Sequence, residues 1–388
     1  MGAVTIRPVA DRGGRRRFVG LPYRLRRDEP RWVPPLRFER LQFVDPARNP
    51  WFEHGEAELL LAERDGELVG RISAHVDHRW DEFRGGSAGM FGFFECVPDQ
   101  AVADALLDAA AAWLAERGRE RMLGPMDFTM NDECGILVEG FDEPSMVLEP
   151  WHPPDYGRMI EAHGLEKEID LLMWRLYLGE LQEGDSFHPM IHAAAAKSRE
   201  EGVVVRPMRK RDMEAEVHRF MDVYNEAWGR NWGFVPITDA EVAFQAKNLR
   251  PVLDEHWAMI AEHDGEVVGA ALTLPDINQA LARMRGRLLP LGWWHFLRRR
   301  RYIDRLRVFA LGVKSEYQHL GVAAALYERH LESAADPGPR GGHMGWILET
   351  NGPMNRAMEG MGGEVVQKYR IYREMLAPDP RTGARAPE

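Results

Sequence analysis

The stretch from residue 311 to residue 331 carries the strongest chemical pattern in the sequence. It reads LGVKSEYQHLGVAAALYERHL: an apolar strand pattern runs to Val313, then Gln318, Gly321 and Ala323 follow in Q-x-x-G-x-A spacing, and a helical pattern begins. A loop of this kind turns backbone N–H groups toward one point at a helix N-terminus, where they and the helix dipole favour an anion such as a pyrophosphate. Gly321 allows the backbone to approach closely. The alternative is a tight strand–helix turn that binds no ligand.

A second polar stretch lies between apolar segments in the first half of the chain. It reads GPMDFTMNDECGILVEGF over 124–141 and concentrates Asn131, Asp132 and Glu133. Loops of this type often line binding sites, so we take these three residues as substrate-binding candidates that would suit a cation or an amine. An Asx turn with solvated carboxylates is the alternative. No histidine falls at ligand spacing, so no metal site is predicted.

An internal repeat organises the chain. AERDGELVG at 62–70 matches AEHDGEVVG at 261–269, and VTIRPV at 4–9 matches VVVRPM at 203–208, both at an offset of 199 residues (265 against 66). Each Asp-Gly pair predicts a tight β-hairpin turn. Common hairpin chemistry explains either turn alone, but it does not explain the shared register. We therefore predict a duplication.

Both halves then predict the same order of elements. A short strand ending in Arg-Pro is followed by helices, a hairpin, a third strand, a long helix, a further strand, a helix ending in glycine, and final strands at 169–178 and 364–375. This order predicts an α/β fold in which mixed, mostly antiparallel sheets are flanked by helices.

The loop at 311–331, in this order of elements, resembles the acyl-CoA pyrophosphate loop of GNAT acyltransferases, which reads strand, [RQ]-x-x-G-x-[GA], helix. The resemblance covers 203–376 closely and 4–178 more weakly. The segment at 124–133 is also similar to a motif, G-P-x-[ND]-F-[ST]-x-N-D-E, of tandem bacterial GNAT-like proteins of this length. The resemblance implies two tandem GNAT domains and an acyl-CoA donor, with acetyl-CoA as the expected donor and another acyl-CoA as the alternative.

The resemblance also implies which residues bind the cofactor. The strand would hold the pantetheine arm in a gap beside its neighbour at 343–349, the loop would hold the pyrophosphate, and a helix asparagine would bond the cofactor, although helix capping is the alternative for that residue. These positions are Leu311, Gly312, Val313, Gln318, His319, Leu320, Gly321, Val322, Ala323 and Asn355.

In GNAT chemistry an amine attacks a thioester, so the enzyme supplies positioning, a base and sometimes an acid. Glu349, at the end of the strand pattern HMGWIL, is our first candidate base, and Asn351 would orient the substrate or cap the next helix. Met358 stands where many family members have a tyrosine acid. Tyr372 on the last strand is the candidate replacement, with sheet packing as the alternative.

The acceptor site has a candidate aromatic wall. In the GNAT fold the region after the first helix of a domain covers the acceptor, and here it contains Trp232, which would suit an apolar or cationic group. Core packing is the equal alternative. The segment 288–301, LLPLGWWHFLRRRR, is expected to pack over the substrate cleft, with membrane-surface contact as the lesser alternative.

The first half departs from the family pattern at the cofactor loop. After GMFGFFECV it reads PDQAVADALLDAA, without a loop glycine and with Asp99 beside the place of a pyrophosphate. Because a carboxylate repels that anion, we expect the first domain to have lost cofactor binding.

Composition narrows the class of protein. The 388 residues are 45% hydrophobic and carry a net charge of -11, which disfavours nucleic acid as a partner. The two cysteines have no metal or disulfide spacing, so reduced thiols are expected. No signal peptide or membrane-spanning run is evident, and a cytoplasmic protein is expected. A homodimer is left open.

The repeat and the polar stretches predict the domain boundaries. We expect a degenerate first GNAT-like domain over 1–178, a linker over 179–190, a second GNAT domain with the acyl-CoA loop over 191–376, and a disordered tail over 377–388. The predicted function is an acyl-CoA-dependent N-acyltransferase acting on a small amine or amino-acid-like acceptor. A non-catalytic acyl-CoA-binding protein and an aminoacyl-tRNA-dependent transferase are the alternatives.

Overall fold

The computed structural model describes residues 2–177, 189–249, 254–334 and 341–376. Residues 179–188 of the expected linker and the expected tail at 377–388 lie outside these ranges. The strands are β1 Thr5–Pro8, β2 Gly55–Arg64, β3 Glu67–Asp77, β4 Ala88–Cys96, β5 Arg121–Gly124, β6 Ile136–Glu139, β7 Glu166–Tyr177, β8 Val204–Pro207, β9 Ala258–His263, β10 Glu266–Pro275, β11 Arg305–Val313, β12 Gly341–Leu348 and β13 Glu364–Met375.

Helices cover both faces of the strands. They are α1 Arg12–Leu25, α2 Arg37–Phe43, α3 His78–Arg84, α4 Gln100–Ala115, α5 Asp155–His163, α6 Pro189–Glu200, α7 Met213–Trp228, α8 Asp239–Leu249, α9 Asn278–Met284, α10 Gly292–Leu297, α11 Val322–Ala334 and α12 Gly352–Gly360.

The chain forms two compact units. The first unit contains Met1–Asp170, Arg285–Pro290 and Lys368–Glu388, and the second contains Leu171–Met284 and Leu291–Gln367. The predicted boundaries followed chain order, whereas the units exchange strand segments. The C-terminal part of β7 therefore belongs to the second unit, and the C-terminal part of β13 belongs to the first.

Each unit contains a mixed sheet of the same design. In the first unit the strand order is β1-β2-β3-β4-β5-β13, and in the second it is β8-β9-β10-β11-β12-β7. In each sheet one neighbouring pair is parallel, β4 with β5 and β11 with β12, and the other pairs with described registers are antiparallel. The expected α/β fold with mixed, mostly antiparallel sheets is confirmed.

Both hairpins form at the Asp-Gly pairs that the sequence predicted. Asp65 and Gly66 have φ angles of 51° and 82°, and Asp264 and Gly265 have φ angles of 51° and 81°. Positive φ at both central residues is the geometry of a type I′ turn, whose twist matches that of the strands it joins. The offset of the repeat is thus the offset of two equivalent turns.

Apolar cores lie on both faces of each sheet. In the second unit, α11 covers one face through Val322 and Leu326, while α7 covers the other through Phe220 and Val223. In the first unit, α4 and α5 contribute to one core and α1 to another. Burial of these faces holds the central strands β4 and β11 in place.

The strand exchange predicts that the second half of the chain does not fold alone. β12 pairs along its length with Leu171–Tyr177, which precede any fragment that starts at residue 189. A fragment of residues 189–376 would leave that edge of β12 unpaired. We expect it to lack cooperative thermal unfolding by circular dichroism, unlike the full chain. A fragment with a sharp, native-like transition would contradict the exchange.

Candidate functional site

The parallel strands β11 and β12 of the second unit separate part-way along their length. Their ladder ends at Val308 and Met344. β11 nevertheless continues to Val313 and β12 to Leu348. Beyond Val308, a gap therefore opens between two neighbouring strands of one sheet.

A bulge in β11 lies at the point of separation. The register against β10 shifts between Leu272 and Thr273, so Phe309 is an extra residue on the β11 side. Bulges bend a strand and redirect its backbone groups. The β12-facing backbone of Leu311–Val313 thus has no β12 ladder within the described residues and borders the gap. This geometry agrees with the gap that the family resemblance implies beside the strand.

The loop after β11 ends in a left-handed glycine. A 3-10 turn over Ser315–Leu320 leads to Gly321, whose φ is +71°, and α11 starts at the next residue. The first N–H groups of an α-helix have no partner inside the helix, so they form a set of donors at this end of α11. Gln318 and His319 are exposed there. The turn and the first turn of α11 contain the predicted anion-binding residues Gln318, His319, Leu320, Gly321, Val322 and Ala323.

Hydrogen bonds to Glu266 fix the start of the loop. Glu266, at the start of β10, accepts a hydrogen bond of 2.9 Å from Lys314 Nζ and one of 3.0 Å from Tyr317 Oη. The hydrogen bond from Lys314 holds the pKa of the Glu266 carboxyl below its usual range. These bonds tie the start of the loop to the hairpin, which keeps its backbone in one conformation.

Helix α6 packs against the loop. A Cβ atom at Gly321 would lie 2.8 Å from the carbonyl oxygen of Ala194, so a side chain at position 321 does not fit without movement of the backbone. Glu328 of α11 lies 3.1 Å from His192 Nδ1 and forms an ion pair with Arg199, both on α6. Only glycine meets both the φ angle and the close approach at position 321.

An apolar cavity lies beside the point where β11 and β12 separate. The space it encloses together with its open mouth is about 560 Å³. The walls come from β7, β10, β11, β12 and α11 of the second unit, together with Trp257 before β9 and Met361 after α12. They are formed by Leu176, Trp257, Thr273, Leu306, Val308, Leu311, Tyr327, His330, Gly341, Gly342, Met344 and Met361.

The polar groups of this cavity are largely engaged with one another. His330 Nδ1 donates to the Leu326 carbonyl at 2.7 Å, so Nε2 accepts from Thr273 Oγ1 at 2.8 Å. Burial lowers the pKa of His330, which keeps the imidazole neutral. Tyr327 Oη lies 3.2 Å from the thioether sulfur of Met354, and burial raises the pKa of its phenol. The cavity therefore favours an uncharged, apolar ligand.

The end of β12 is held by Asn355 of α12. Its Nδ2 donates to the carbonyl oxygens of Leu348 at 3.0 Å and of Glu349 at 3.4 Å, while its Oδ1 accepts from Trp174 Nε1 at 3.0 Å. The sequence suggested Asn355 as a cofactor ligand or a helix cap. The structure instead places its amide in bonds that fix the strand end, so we assign it a positioning role.

The two other candidates at this end of β12 differ in their surroundings. Asn351 accepts a hydrogen bond of 3.3 Å from Met354 N and caps α12, which was the alternative to a catalytic role. Glu349 is exposed and follows the last residue of β12. Glu349 is the carboxylate that the fold brings to the end of the strand bordering the gap.

Tyr372 belongs to the first unit, whereas β11 and the loop that follows it belong to the second. Its ring is fully buried in the core under α4 and α5, and its Oη donates to Glu161 at 3.1 Å. Burial raises the pKa of this phenol above its ordinary value. A phenol enclosed in this core does not fit the predicted acid role, and sheet packing, the alternative, describes it. Met358, at the family's tyrosine position, is buried among apolar side chains that include Trp174 and Ile347.

The aromatic stretch around the end of α7 contacts β11 through Trp228 rather than through the predicted Trp232. Trp232 is half-buried in the loop that follows α7. Trp228, at the end of α7, stacks on Tyr224, and a Cβ atom at Gly312 would lie 2.2 Å from its ring. Gly312 thus lets the indole lie directly on β11. Trp228 and Trp232 both belong to the aromatic stretch AWGRNWGF at 227–234, and its spacing alone does not say which of them contacts β11.

In the first unit, the loop between β4 and α4 contains a carboxylate, Asp99, at the start of the helix. Asp99 accepts from Ala101 N at 3.0 Å, capping α4, and forms a 2.7 Å ion pair with Arg64. The hydrogen bond from Arg64 lowers the pKa of the Asp99 carboxyl. The donors at the start of α4 are therefore partly used by the protein itself. The loss of cofactor binding in the first half stays a prediction.

The predicted substrate residues of the first unit form a structured turn. Thr129 Oγ1 donates to Asp132 Oδ2 at 2.9 Å and accepts from Asn131 N at 3.0 Å, as in the turn alternative. Glu133 lies 3.6 Å from Arg40, which also pairs with the buried Asp127 at 2.6 Å. These contacts give the three residues structural partners, and whether they bind a substrate stays a prediction.

Two kinds of feature are absent from the described residues. No group of three or more His, Cys, Asp or Glu side chains in these ranges is placed to hold a metal ion. None of the helices in the described ranges has both the length and the apolar character needed to cross a bilayer.

The sequence has well-matched relatives. It is 34% identical over 380 residues to a bacterial ceramide synthase from Caulobacter vibrioides, covering 96% of this chain and 98% of the relative. It is 33% identical over 377 residues to the protein YghO of Escherichia coli K12, covering 96% of this chain and 95% of that protein. No protein-family profile matches the chain.

The fold matches that of solved structures. A tandem GNAT protein from the clavulanic acid biosynthesis pathway superposes with a TM-score of 0.57 over 97% of this chain and 99% of that one, at 13% sequence identity. At this identity the likeness concerns the fold, and it supports the tandem GNAT architecture predicted from the sequence.

Proposed function

Because this chain belongs to the same family as the Caulobacter and Escherichia coli proteins and has the tandem GNAT fold, we propose that it is an acyl-CoA-dependent N-acyltransferase with a long-chain acyl donor. The fold supports acyl transfer in general terms. The observation that supports a long-chain donor is the largely apolar lining of the cavity beside the gap between β11 and β12. An acetyl donor, which the sequence favoured, would leave this cavity unused.

The donor would occupy three consecutive parts of the second unit. The N–H groups at the start of α11 would bind its pyrophosphate. The β12-facing backbone of Leu311–Val313 would bond its pantetheine arm in the gap. The acyl chain would then enter the cavity, where each buried methylene contributes about 0.8 kcal/mol to binding.

The acceptor would be a primary amine. The Caulobacter relative is named for ceramide, an N-acylated long-chain amino alcohol, and we extend that acceptor class to this chain. The amine nitrogen attacks the thioester carbonyl, a C–N bond forms, and the C–S bond breaks. Glu349 would take the proton that the amine loses, and the CoA thiolate would gain a proton as it leaves.

Asn355 would contribute by positioning Glu349. Its bonds to the carbonyls of Leu348 and Glu349 fix the backbone from which the carboxylate projects. Trp174, which lies on β7, donates a hydrogen bond to the oxygen of the same amide. The base would thus stand on a rigid strand end, which favours proton transfer in a defined geometry.

Exchange of Glu349 for glutamine tests this assignment. Glu349→Gln keeps the shape and removes the base, so we expect turnover to fall by roughly 10²- to 10⁴-fold while acyl-CoA binding is retained. Turnover would be followed by release of the CoA thiol, and binding by calorimetry. Glu359→Gln, an exposed carboxylate on α12, is the matched control and should keep full turnover.

The same pair of variants separates transfer from a second candidate function. Met358 is buried where many family members have a tyrosine acid, which favours a protein that binds acyl-CoA without turning it over. If the wild-type protein binds acyl-CoA but releases no thiol with any amine offered, this second function is supported. Equal turnover by wild type and Glu349→Gln would remove Glu349 as the base.

A further inference from the structure

We propose that the segment Leu291–Arg301 docks on an anionic lipid surface. The segment contains α10 and the 3-10 turn Arg299–Arg301, all within the second unit. Its large apolar side chains are turned outward rather than packed over the molecule. The exposed fractions are 70% for Leu291, 43% for both Trp293 and Trp294, and 64% for Leu297.

The exposed residues share one face. At 3.6 residues per turn, Leu291, Trp293, Trp294 and Leu297 lie within one half of the helix circumference. Gly292, which is buried, and the half-buried His295 and Phe296 lie in the other half. On the inner side, His295 Nδ1 lies 3.3 Å from Tyr302 Oη, and the Arg283 guanidinium of α9 stacks on the Tyr302 ring at 4.4 Å. The outward face is therefore an exposed apolar surface.

The four exposed side chains Leu291, Trp293, Trp294 and Leu297 follow one another closely in this segment. Single exposed apolar residues are ordinary, but a run of neighbouring ones marks a surface that meets a partner or a membrane. Tryptophan is the side chain enriched at the boundary between lipid headgroups and acyl chains.

The charge at the end of the segment selects an anionic lipid surface. Four consecutive arginines, Arg298–Arg301, follow the apolar face in a protein whose net charge is -11. Within the described residues neither Arg298 nor Arg301 has a carboxylate partner. The guanidinium of Arg298 stacks on the Trp294 ring at 3.9 Å, which places a cation at the edge of the apolar face. Arg300, 87% exposed, lies 3.9 Å from Asp254.

These features match the physics of a helix that lies in a membrane interface. Such helices combine Trp and Leu on one face with flanking arginines, and binding grows with apolar area and with negative lipid charge. Arginines near an anionic surface each strengthen binding by roughly fivefold. Long arginine side chains keep their stems on the apolar face while their charged groups reach the headgroups.

Flotation of the full-length protein with vesicles tests the proposal. We expect binding to vesicles of phosphatidylcholine mixed with phosphatidylglycerol, weak binding to phosphatidylcholine alone, and release by salt. The double variant Trp293→Ser with Leu297→Ser should lose binding by about tenfold or more, because it removes two of the inserting side chains. Arg298→Gln with Arg301→Gln should lose roughly 25-fold on the anionic vesicles.

Matched controls use exposed residues elsewhere in the second unit. Val204→Ser removes an apolar side chain that is 59% exposed, and Arg211→Gln removes an arginine whose side chain is 82% exposed. Both should bind as wild type does. Equal flotation by all variants, or no flotation of wild type, would overturn the proposal. Loss of a dimer in gel filtration on Trp293→Ser with Leu297→Ser would instead assign the surface to a second copy and overturn it as well.

The inference stands apart from the proposed activity. Vesicle binding is measured without acyl-CoA or amine, so a failure of flotation leaves the acyl-transfer proposal intact. Conversely, a protein that releases no thiol can still float with anionic vesicles.

Discussion

Gly321→Glu is expected to abolish acyl-CoA binding. The new carboxylate would stand at the start of α11, where the pyrophosphate is proposed to bind, and two unit charges 4 Å apart repel by about 4 kcal/mol at an effective dielectric constant of 20. That energy corresponds to roughly a thousandfold loss of affinity. Calorimetric titration of acyl-CoA into the variant and the wild type measures it.

A second variant separates charge from backbone strain. A side chain at position 321 also meets the Ala194 carbonyl, so Gly321→Glu disturbs the loop itself. Gln318→Glu adds a negative charge at an exposed position without a change of shape, and we expect it to weaken binding by about tenfold. Glu332→Gln, on an exposed position of α11, is the control. Unchanged binding by both loop variants, with wild-type melting temperatures, would place the cofactor elsewhere.

Val308→Phe is expected to shift donor preference toward short acyl chains. Val308 lines the cavity at the point where the β11–β12 ladder ends, so a phenyl ring there would occupy space proposed for the chain. Exclusion of about four methylenes at 0.8 kcal/mol each costs about 3 kcal/mol, or roughly two orders of magnitude in kcat/KM for hexadecanoyl-CoA. The value for acetyl-CoA should change by less than about threefold, since the acetyl group does not reach the cavity.

A control with the same added volume completes this test. Val204→Phe places the ring at an exposed position on β8 and should leave the chain-length profile unchanged. Val308→Leu should give an intermediate profile. A graded response to side-chain size would show that the effect of the phenyl ring comes from occupied space and not from a general loss of packing. A parallel fall for all donors, short and long, would contradict the assignment of the cavity to the acyl chain.

The sequence predicted the parts of this structure that depend on local chemistry. The Asp-Gly turns at 65–66 and 264–265 specify hairpins by their φ preferences alone. Their shared offset was therefore enough to align the sequences of the two halves of the chain. Gly321 and the strand before it also form a local unit, and the loop was therefore recognisable from spacing. The separation of β11 from β12 followed from the family resemblance.

The side-chain partners could not be read from spacing because they come from distant segments. Asn355 bonds Trp174, 181 residues away, and Tyr372 bonds Glu161, 211 residues away. The strand exchange that carries Tyr372 into the first unit has no local signature, since it concerns which strands pair rather than where strands form. The cavity depends in the same way on packing among segments that are far apart in the sequence, so the length of the acyl chain could not be predicted from the loop motif.

The most direct test of the central claim is mass spectrometry of the products formed from hexadecanoyl-CoA and a long-chain primary amine. We expect one equivalent of free CoA thiol for each equivalent of N-hexadecanoyl amide, and a much slower reaction with acetyl-CoA. Thiol release and amide formation should both be lost in Gly321→Glu. The absence of amide with every acyl-CoA offered to the folded wild-type protein would contradict the account.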